Sequence, residues 1–492
     1  ARRAMNRLGC LVLVLALTSA APAAGGLERL PAVLHVHSDL TTGTLPLADL
    51  AQMAERQGIG ALLLAENYRL RVEYGLPPFR ALTRLGYEER GVLDGGLARY
   101  LAQVAEVQRA HPRVLLVPGV EVVPHYYWGV SPRELTLRLH NTQKNLLVFG
   151  LPDAAALATL PVIGNPEPAR YTGQSLLDAL PGLLVIPGVA LLFMKSRVPR
   201  RLGRRVVVFR RRRWLGGAAL AAIGVLALVR SWPFTVDRFP PWEDFGTVPY
   251  QELIDHVERL GGTTVWSFPE ARDSGERSLG PVTVAWRTEP HASDLLRTSR
   301  YAAFGGLYEQ ALHVVEPGGL WDRLLGQFAA GERSRPVWAV GESGFHGPVG
   351  GKRLGSVQTV FLVEERSPAA IVAALRRGRL YAVQRGGEAS LVLGEYAVVT
   401  AEATAESGDR LRVPAGAPIE VRVAVEATGP ASLPLRITLV RNGEVADAWT
   451  GQTPFRAVHR TVAGATAAVF RLDVRSSAPH RLLTSPIFVG GA

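Results

Sequence analysis

Between residues 176 and 236 the chain runs apolar, then densely basic, then apolar again, an order few folds accommodate. Residues 179–194 carry no charge, and neither do residues 214–229. Between them, residues 195–213 hold ten basic side chains (Lys195, Arg197, Arg200, Arg201, Arg204, Arg205 and the run from Arg210 to Arg213) and no acid. Two core helices of a water-soluble protein joined in this way would set ten uncompensated charges against one another. Two membrane-crossing helices face no such conflict. Each run is short against the roughly 20 residues that span a bilayer. The first extends upstream through Leu176 and Leu177 at the cost of Asp178, and the second past Arg230, which can snorkel, to Trp232 and Phe234. Trp214 and Trp232 bracket the second run like interfacial anchors. Pro181 and Pro187 weaken the first helix, although membrane helices tolerate proline. The sequence therefore predicts a transmembrane hairpin over residues 176–236 whose partner is the lipid bilayer. The positive-inside rule places the basic loop 195–213 in the cytoplasm and both flanking regions outside.

The extreme N-terminus agrees with that topology. Arg2, Arg3 and Arg7 precede a short apolar core at residues 8–17, and Ala21-Pro22-Ala23 resembles a cleavage site. Residues 1–25 thus read as a secretory signal or an N-terminal anchor that exports the chain downstream of it. The expected location is the inner (cytoplasmic) membrane, with the folded regions on the periplasmic side. The net charge of +12 resides in these two basic blocks, which leaves the remainder close to neutral and argues against a nucleic-acid partner. Cys10 is the only cysteine, so an internal disulfide and any cysteine-based zinc site are excluded.

Chemistry enters after residue 30. An apolar, strand-like stretch at 30–36 ends in His35-Val36-His37-Ser38-Asp39. Alternate residues on a strand share a face, so both imidazoles can reach one cation. An HxH pair is weak alone, and context strengthens it. A helical pattern at 47–57 leads to a second buried strand, 61–65, ending in Glu66-Asn67. A helix at 97–110 and a third strand at 114–117 then lead to Gly119-Val120-Glu121-Val122. This alternation, with polar residues at strand C-terminal ends, is how a parallel α/β barrel or sheet builds an active site.

These motifs resemble the PHP (polymerase and histidinol phosphatase) superfamily. Gly261-Gly262-Thr263-Thr264-Val265-Trp266-Ser267-Phe268-Pro269-Glu270 sits where that family has a strand ending in His-Pro. The stretch 339–347, containing Gly341-Glu342-Ser343-Gly344-Phe345-His346, sits where it has Gly-x-Ser-Asp-x-His. The resemblance spans about residues 30–385. It implies a distorted seven-stranded β/α barrel that binds two or three divalent ions and hydrolyses phosphoesters with a metal-activated water. Carried over residue by residue, the implied ligands are His35, His37, Glu121 as a bridging carboxylate, and His346. The departures are as informative. Asn67, Asn145, Phe268 and Gly344 stand where the family has metal-binding side chains, and neutral amides, Phe and Gly are poor or useless ligands for a divalent cation. The four matched residues suffice for one ion, since a catalytic zinc site needs three protein ligands. Replacements for the lost groups would come from Asp39, Glu66, Glu270, Glu342 or His291, with Asp39, Glu66 and His291 the candidate catalytic side chains. Glu66 and Glu342 also read as hydrogen-bonding substitutes.

From about residue 388 the texture changes. Ile419, Val421, Val423 and Val425 alternate with other residues, Asn442-Gly443 is a two-residue hairpin signal, and Phe470, Leu472 and Val474 alternate again. Several short strands in about 100 residues imply a small β-sandwich. The expected class is thus α/β: a PHP-like barrel in two parts (30–175 and 237–387), interrupted by the hairpin 176–236 and followed by an all-β sandwich (388–492). Two functions fit. One is a membrane-anchored metal-dependent phosphoesterase using zinc, manganese or iron on a small phosphorylated substrate. The other is a barrel without metal that binds a ligand or an envelope partner. No phosphate-binding glycine loop, nucleophile elbow or HExxH motif points elsewhere.

Overall fold

The structure, a computed structural model, describes residues 27–490 except 132, 281, 311, 430 and 431. The expected signal at 1–25 lies outside the described residues. The chain is mixed α/β with many strands. Strand Glu28–Val36, almost wholly buried from Leu30 onward, pairs in parallel with Ala61–Leu64, which pairs in parallel with Leu115–Val117. Helices Leu47–Arg56 and Leu97–Ala110 make the crossovers, and bury Leu47, Leu50, Ala51 and Ala54 on one and Leu97, Tyr100 and Val104 on the other. That three-to-four spacing gives each helix one apolar stripe to lay on the sheet.

A second sheet runs in the order Trp338–Gly341, Ala303–Leu307, Thr263–Trp266, Leu146–Phe149, Gly119–Val122, Glu66–Asn67. Its neighbours are parallel except for Leu146–Phe149, which runs antiparallel to both flanking strands. The chain passes from the first sheet to the second at Ala65, between Leu64 and Glu66, and again at residue 118. One apolar core joins the two sheets. The polar ends of their strands therefore gather where the sheets meet.

The insertion forms helix Gly173–Phe193 and helix Trp214–Ser231, both long and apolar enough to cross a membrane. The first starts earlier than residue 176 because Thr172 caps it, accepting from Gln174 N while its own N–H donates to Ser175 Oγ. At Pro181 it tightens into a 3-10 segment, Leu180–Leu184, before resuming as Val185–Phe193. The helices touch through glycine. A Cβ on Gly188 would lie 2.4 Å from Ala221 N, and one on Gly224 2.5 Å from Val185 N. Glycine at these positions lets the two helix backbones approach closely. Outward they expose Leu183, Ile186, Phe193, Leu215, Ile223 and Val229. The basic segment that joins them is a two-stranded antiparallel hairpin, Lys195–Leu202 with Arg205–Arg212. Gly203, with φ 62°, opens its two-residue turn, and the valine run at 206–208 favours extended backbone.

The C-terminal region holds a four-stranded sheet that includes Leu391–Val399, Pro418–Ala427 and Phe455–Val462. It shares a core with strands Pro434–Arg441 and Ala468–Arg475. Asn442 and Gly443, φ 53° and 85°, make the expected hairpin turn into Glu444–Gln452. The border at 387 is not a clean break. Strand Arg481–Thr484 adds to Leu380–Gln384, so the first sheet continues into this region.

Candidate metal centre

The backbone at His35 departs from an ordinary strand. The pairing register with Ala61–Leu64 shifts between Leu34 and Val36, and His35 takes φ 72°. The two histidines are therefore not aligned by pleat alternation, as the sequence suggested, but by a bulge. The loop after Trp338–Gly341 holds the bulge in place: Ser343 N donates to Leu34 O, Phe345 N to His35 O, and His37 N to Phe345 O. Left-handed backbone at a non-glycine costs about 1–3 kcal/mol and persists where surrounding contacts over-determine it. Phe268, at φ 40°, is a second such residue beside the first.

At the bulge, His35, His37 and Glu121 place their ligand atoms within 4.8 Å of one another. The two Nε2 atoms are 3.0 Å apart, His35 Nε2 is 3.2 Å from Glu121 Oε1, and His37 Nε2 is 3.4 Å from Glu121 Oε2. Ligands about 2 Å from a tetrahedral ion stand about 3.3 Å from each other. The three side chains thus fit one divalent ion. His35 Nδ1 donates to Glu342 Oε1 at 2.6 Å, which fixes the ring and leaves Nε2 facing the cluster. Carboxylates orient metal-binding imidazoles in this way. Glu342 is itself fully buried and held by Ser267 Oγ (2.6 Å) and Phe268 N (3.0 Å). Gly305 must be glycine to let it pass, because a Cβ there would overlap its carboxylate.

The charges are strongly coupled. Burial disfavours an imidazolium at His35, but Glu121 and Glu342 outweigh it and push the pKa up to about 10. Burial also works against the Glu121 carboxylate, yet His35 and His37 hold its pKa well below the ordinary range. Asn145 Nδ2 donates to Glu121 Oε1 at 2.5 Å, and the buried Asn145 Oδ1 has no hydrogen-bond partner among the described residues.

The other candidates occupy distinct places. His346 is outside the group of three. Its ring stacks on His37 at 4.0 Å, its Nδ1 pairs with Thr42 Oγ1 at 3.0 Å, and burial together with His37 and His35 lowers its pKa to about 3. Glu66 is buried and accepts from Ser38 N, Ser38 Oγ and Thr41 Oγ1, which fastens the loop after His37. Burial raises its pKa. Asp39 is exposed, and among the described residues only its backbone is engaged, by Leu45 and Arg90. Glu270 caps the N–H groups of His313 and Val314. His291, expected among the catalytic side chains, lies buried against Trp266, 5.6 Å between centroids, with Nδ1 donating to Glu289 O and Nε2 unpartnered among the described residues.

The four residues that depart from the resembled motifs make other contacts. Asn67 donates to Glu89, and Asn145 braces Glu121. Phe268 stacks on His35 at 5.2 Å and meets Tyr308 edge-on at 4.9 Å. A Cβ on Gly344 would lie 2.8 Å from the Phe268 ring, so the phenyl group occupies the space that a larger residue 344 would need. Sequence reading gave no part to Thr42 or Ser267. Both bear a short hydroxyl in an unremarkable context, and only the folded loops bring them to the histidines.

No family model matches the chain, and no curated protein matches it. Among solved structures it is similar to a two-domain protein from Bacteroides vulgatus containing a predicted PHP-like metal-dependent phosphoesterase, at 13% identity, TM-score 0.36 and 91% coverage of both chains. It is also similar to a candidate metal-dependent phosphoesterase from Bifidobacterium adolescentis (13% identity, TM-score 0.29, 67% of this chain and 92% of that one). A third is an amidohydrolase from Chromobacterium violaceum with bound sulfate and no metal (12% identity, TM-score 0.28, 65% and 89%).

Proposed function

We propose that this chain is a membrane-anchored, exported PHP-like hydrolase that acts on a small phosphorylated substrate with a single divalent ion. In this reading the two mixed sheets are the halves of a distorted barrel, and the C-terminal strands form a β-sandwich beside it. His35, His37 and Glu121 would hold the ion. The carrying observation is the convergence of the two Nε2 atoms, 3.0 Å apart, with the two Glu121 carboxylate oxygens at 3.2 and 3.4 Å, and with His35 aimed by Glu342. A divalent ion there, whether zinc, manganese or iron, would make water a nucleophile near neutral pH and offset phosphoryl charge. Glu342 orients His35, Asn145 steadies Glu121, and His346, held neutral, stacks on His37. The helices Gly173–Phe193 and Trp214–Ser231 would anchor the protein in the inner membrane, with the basic hairpin on the cytoplasmic side. A second reading, a metal-free ligand-binding domain, draws support from Phe268 filling the space above Gly344.

Metal analysis of the purified full chain separates the two. The wild type is expected to hold about one ion per chain, and His35→Ala/His37→Ala none. Glu342→Gln keeps every ligand but is expected to weaken binding by about 10–100-fold. A phosphoester panel then follows for the loaded protein. Absence of bound ion after saturation with zinc or manganese would refute the hydrolase and leave the second reading.

A further inference from the structure

A cavity of about 570 Å³ lies apart from the His–Glu cluster, where the segment 70–89 and strand Tyr127–Ser131 meet the ends of the two apolar helices. Its walls carry Arg71, Arg80, Arg84 and Arg230 together with Trp128 and Trp242. Three acids face these four guanidinium groups. Glu73 engages Arg71 at 2.5 Å and Arg84 at 3.1 Å, and so is fully used. Asp178 stands 3.9 Å from Arg80 Nη1, too far for a hydrogen bond, and that buried nitrogen has no partner among the described residues. The flat face of Arg80 rests on Trp242, 3.7 Å from the ring centre. Arg230 makes no ion pair among the described residues. The third acid, Asp237, accepts from Gly164 N, and burial pushes its pKa up to about 6. Arg80 is therefore held in place by Trp242 and Arg230 stands exposed at the rim, both with hydrogen-bonding capacity left over, in a cavity of small-molecule size.

The position of this cavity narrows what could fill it. Asp178, Arg230, Ser231 and Trp232 line it, and all belong to the apolar helices or their immediate ends. If those helices span a bilayer, the cavity opens at the depth of the lipid head groups, where tryptophan concentrates. Guanidinium groups bind phosphate oxygens through paired N–H donors and remain charged at any physiological pH. We propose that this cavity binds the phosphate-bearing head group of an anionic phospholipid, with Arg80 and Arg230 as the phosphate-binding side chains. The inference rests on the membrane reading of residues 173–231 and is independent of the metal centre. Bound lipid would join the barrel to the leaflet and fix how the segment 70–89 sits over the membrane. One end of that segment approaches the helices at Arg80, and the other is tied through Glu89 to Asn67, the strand neighbour of Glu121.

The test uses the full chain in detergent micelles, titrated with short-chain phosphatidic acid, short-chain phosphatidylcholine and inorganic phosphate, and read by native mass spectrometry. Phosphatidic acid is expected to bind at least about tenfold more tightly than phosphatidylcholine, and inorganic phosphate more weakly than either. Arg80→Gln/Arg230→Gln is expected to weaken phosphatidic acid by more than about tenfold, with the circular dichroism spectrum unchanged. If the double variant misfolds, Arg230→Gln alone, at an exposed residue, is expected to cost about fivefold. Equal binding of the two lipids, tighter binding of inorganic phosphate, or a folded variant with wild-type affinity would each overturn the proposal. Flotation with vesicles of phosphatidylcholine and phosphatidylglycerol tests the membrane reading separately. A chain that does not float refutes the anchor, whereas a chain that floats without head-group selectivity refutes only the cavity.

Discussion

If the Phe268 ring fills the space above Gly344, then enlarging residue 344 should be costly only while the ring is present. Gly344 has φ 57°, so Gly344→Ala first pays about 1 kcal/mol for left-handed backbone. Its Cβ would also sit 2.8 and 2.9 Å from two carbons of the Phe268 ring, well inside contact distance. Overpacking of that kind costs about 1–3 kcal/mol, for a total of about 2–4 kcal/mol. Phe268→Ala removes the stack on His35 and the edge contact to Tyr308, at about 2–4 kcal/mol for a partly buried ring. In the double variant the steric part disappears, and Gly344→Ala should cost only its backbone share. The cycle therefore predicts a coupling of about 1–3 kcal/mol between the two sites. Urea unfolding of the full chain in micelles, followed by tryptophan fluorescence, measures all four corners. A coupling below about 0.5 kcal/mol would show that the ring does not occupy this space, and the mutual replacement argued for positions 268 and 344 would be wrong.

Two further outcomes concern buried charges elsewhere. Burial and the nearby Lys144 lower the His291 pKa to about 4, so the folded state binds its proton less readily than the unfolded chain does. Stability owed to neutral His291 is present above about pH 6.5 and lost as pH falls toward 4, by up to about 3 kcal/mol; His291→Gln should flatten that part of an unfolding-versus-pH curve. Arg471, almost fully buried, pairs with Asp322 through two contacts of 2.6 Å and lies over Trp321, binding the C-terminal strands to helix Leu320–Ala329. Arg471→Ala leaves Asp322 buried without its partner and should cost about 3–5 kcal/mol, seen as faster proteolysis of the C-terminal region; an unchanged cleavage rate would contradict this.

Much of the first half was legible because its signals are local. Apolar runs bounded by polar residues marked strands at 30–36 and 61–65, observed as Glu28–Val36 and Ala61–Leu64, and the apolar stripe of 97–110 marked its helix to the residue. Asn442-Gly443 marked a turn because few other residue pairs accept two positive φ angles. The basic block was legible as charge but not as shape. Its conversion into a hairpin depends on Gly203 and on pairing between strands, which a count of charges does not contain.

In the site, the identities of His35, His37 and Glu121 could be picked out from sequence because each ends a strand. Their convergence was a tertiary matter. The imidazoles are aligned by a bulge clamped from residues 343–345, more than 300 positions away in the chain, and Glu342 reaches His35 only because that loop folds back. Likewise Asp39, Glu66 and His291 carry the right functional groups for chemistry, but exposure, a hydrogen-bonded loop and a tryptophan wall decide what each does. Sequence by itself determined which groups are available and where charge and apolar surface must go, since those depend on composition along the line. Only the tertiary structure decided which of them meet, because contact between distant residues depends on register, backbone strain and packing volume, none of which is carried by any one segment.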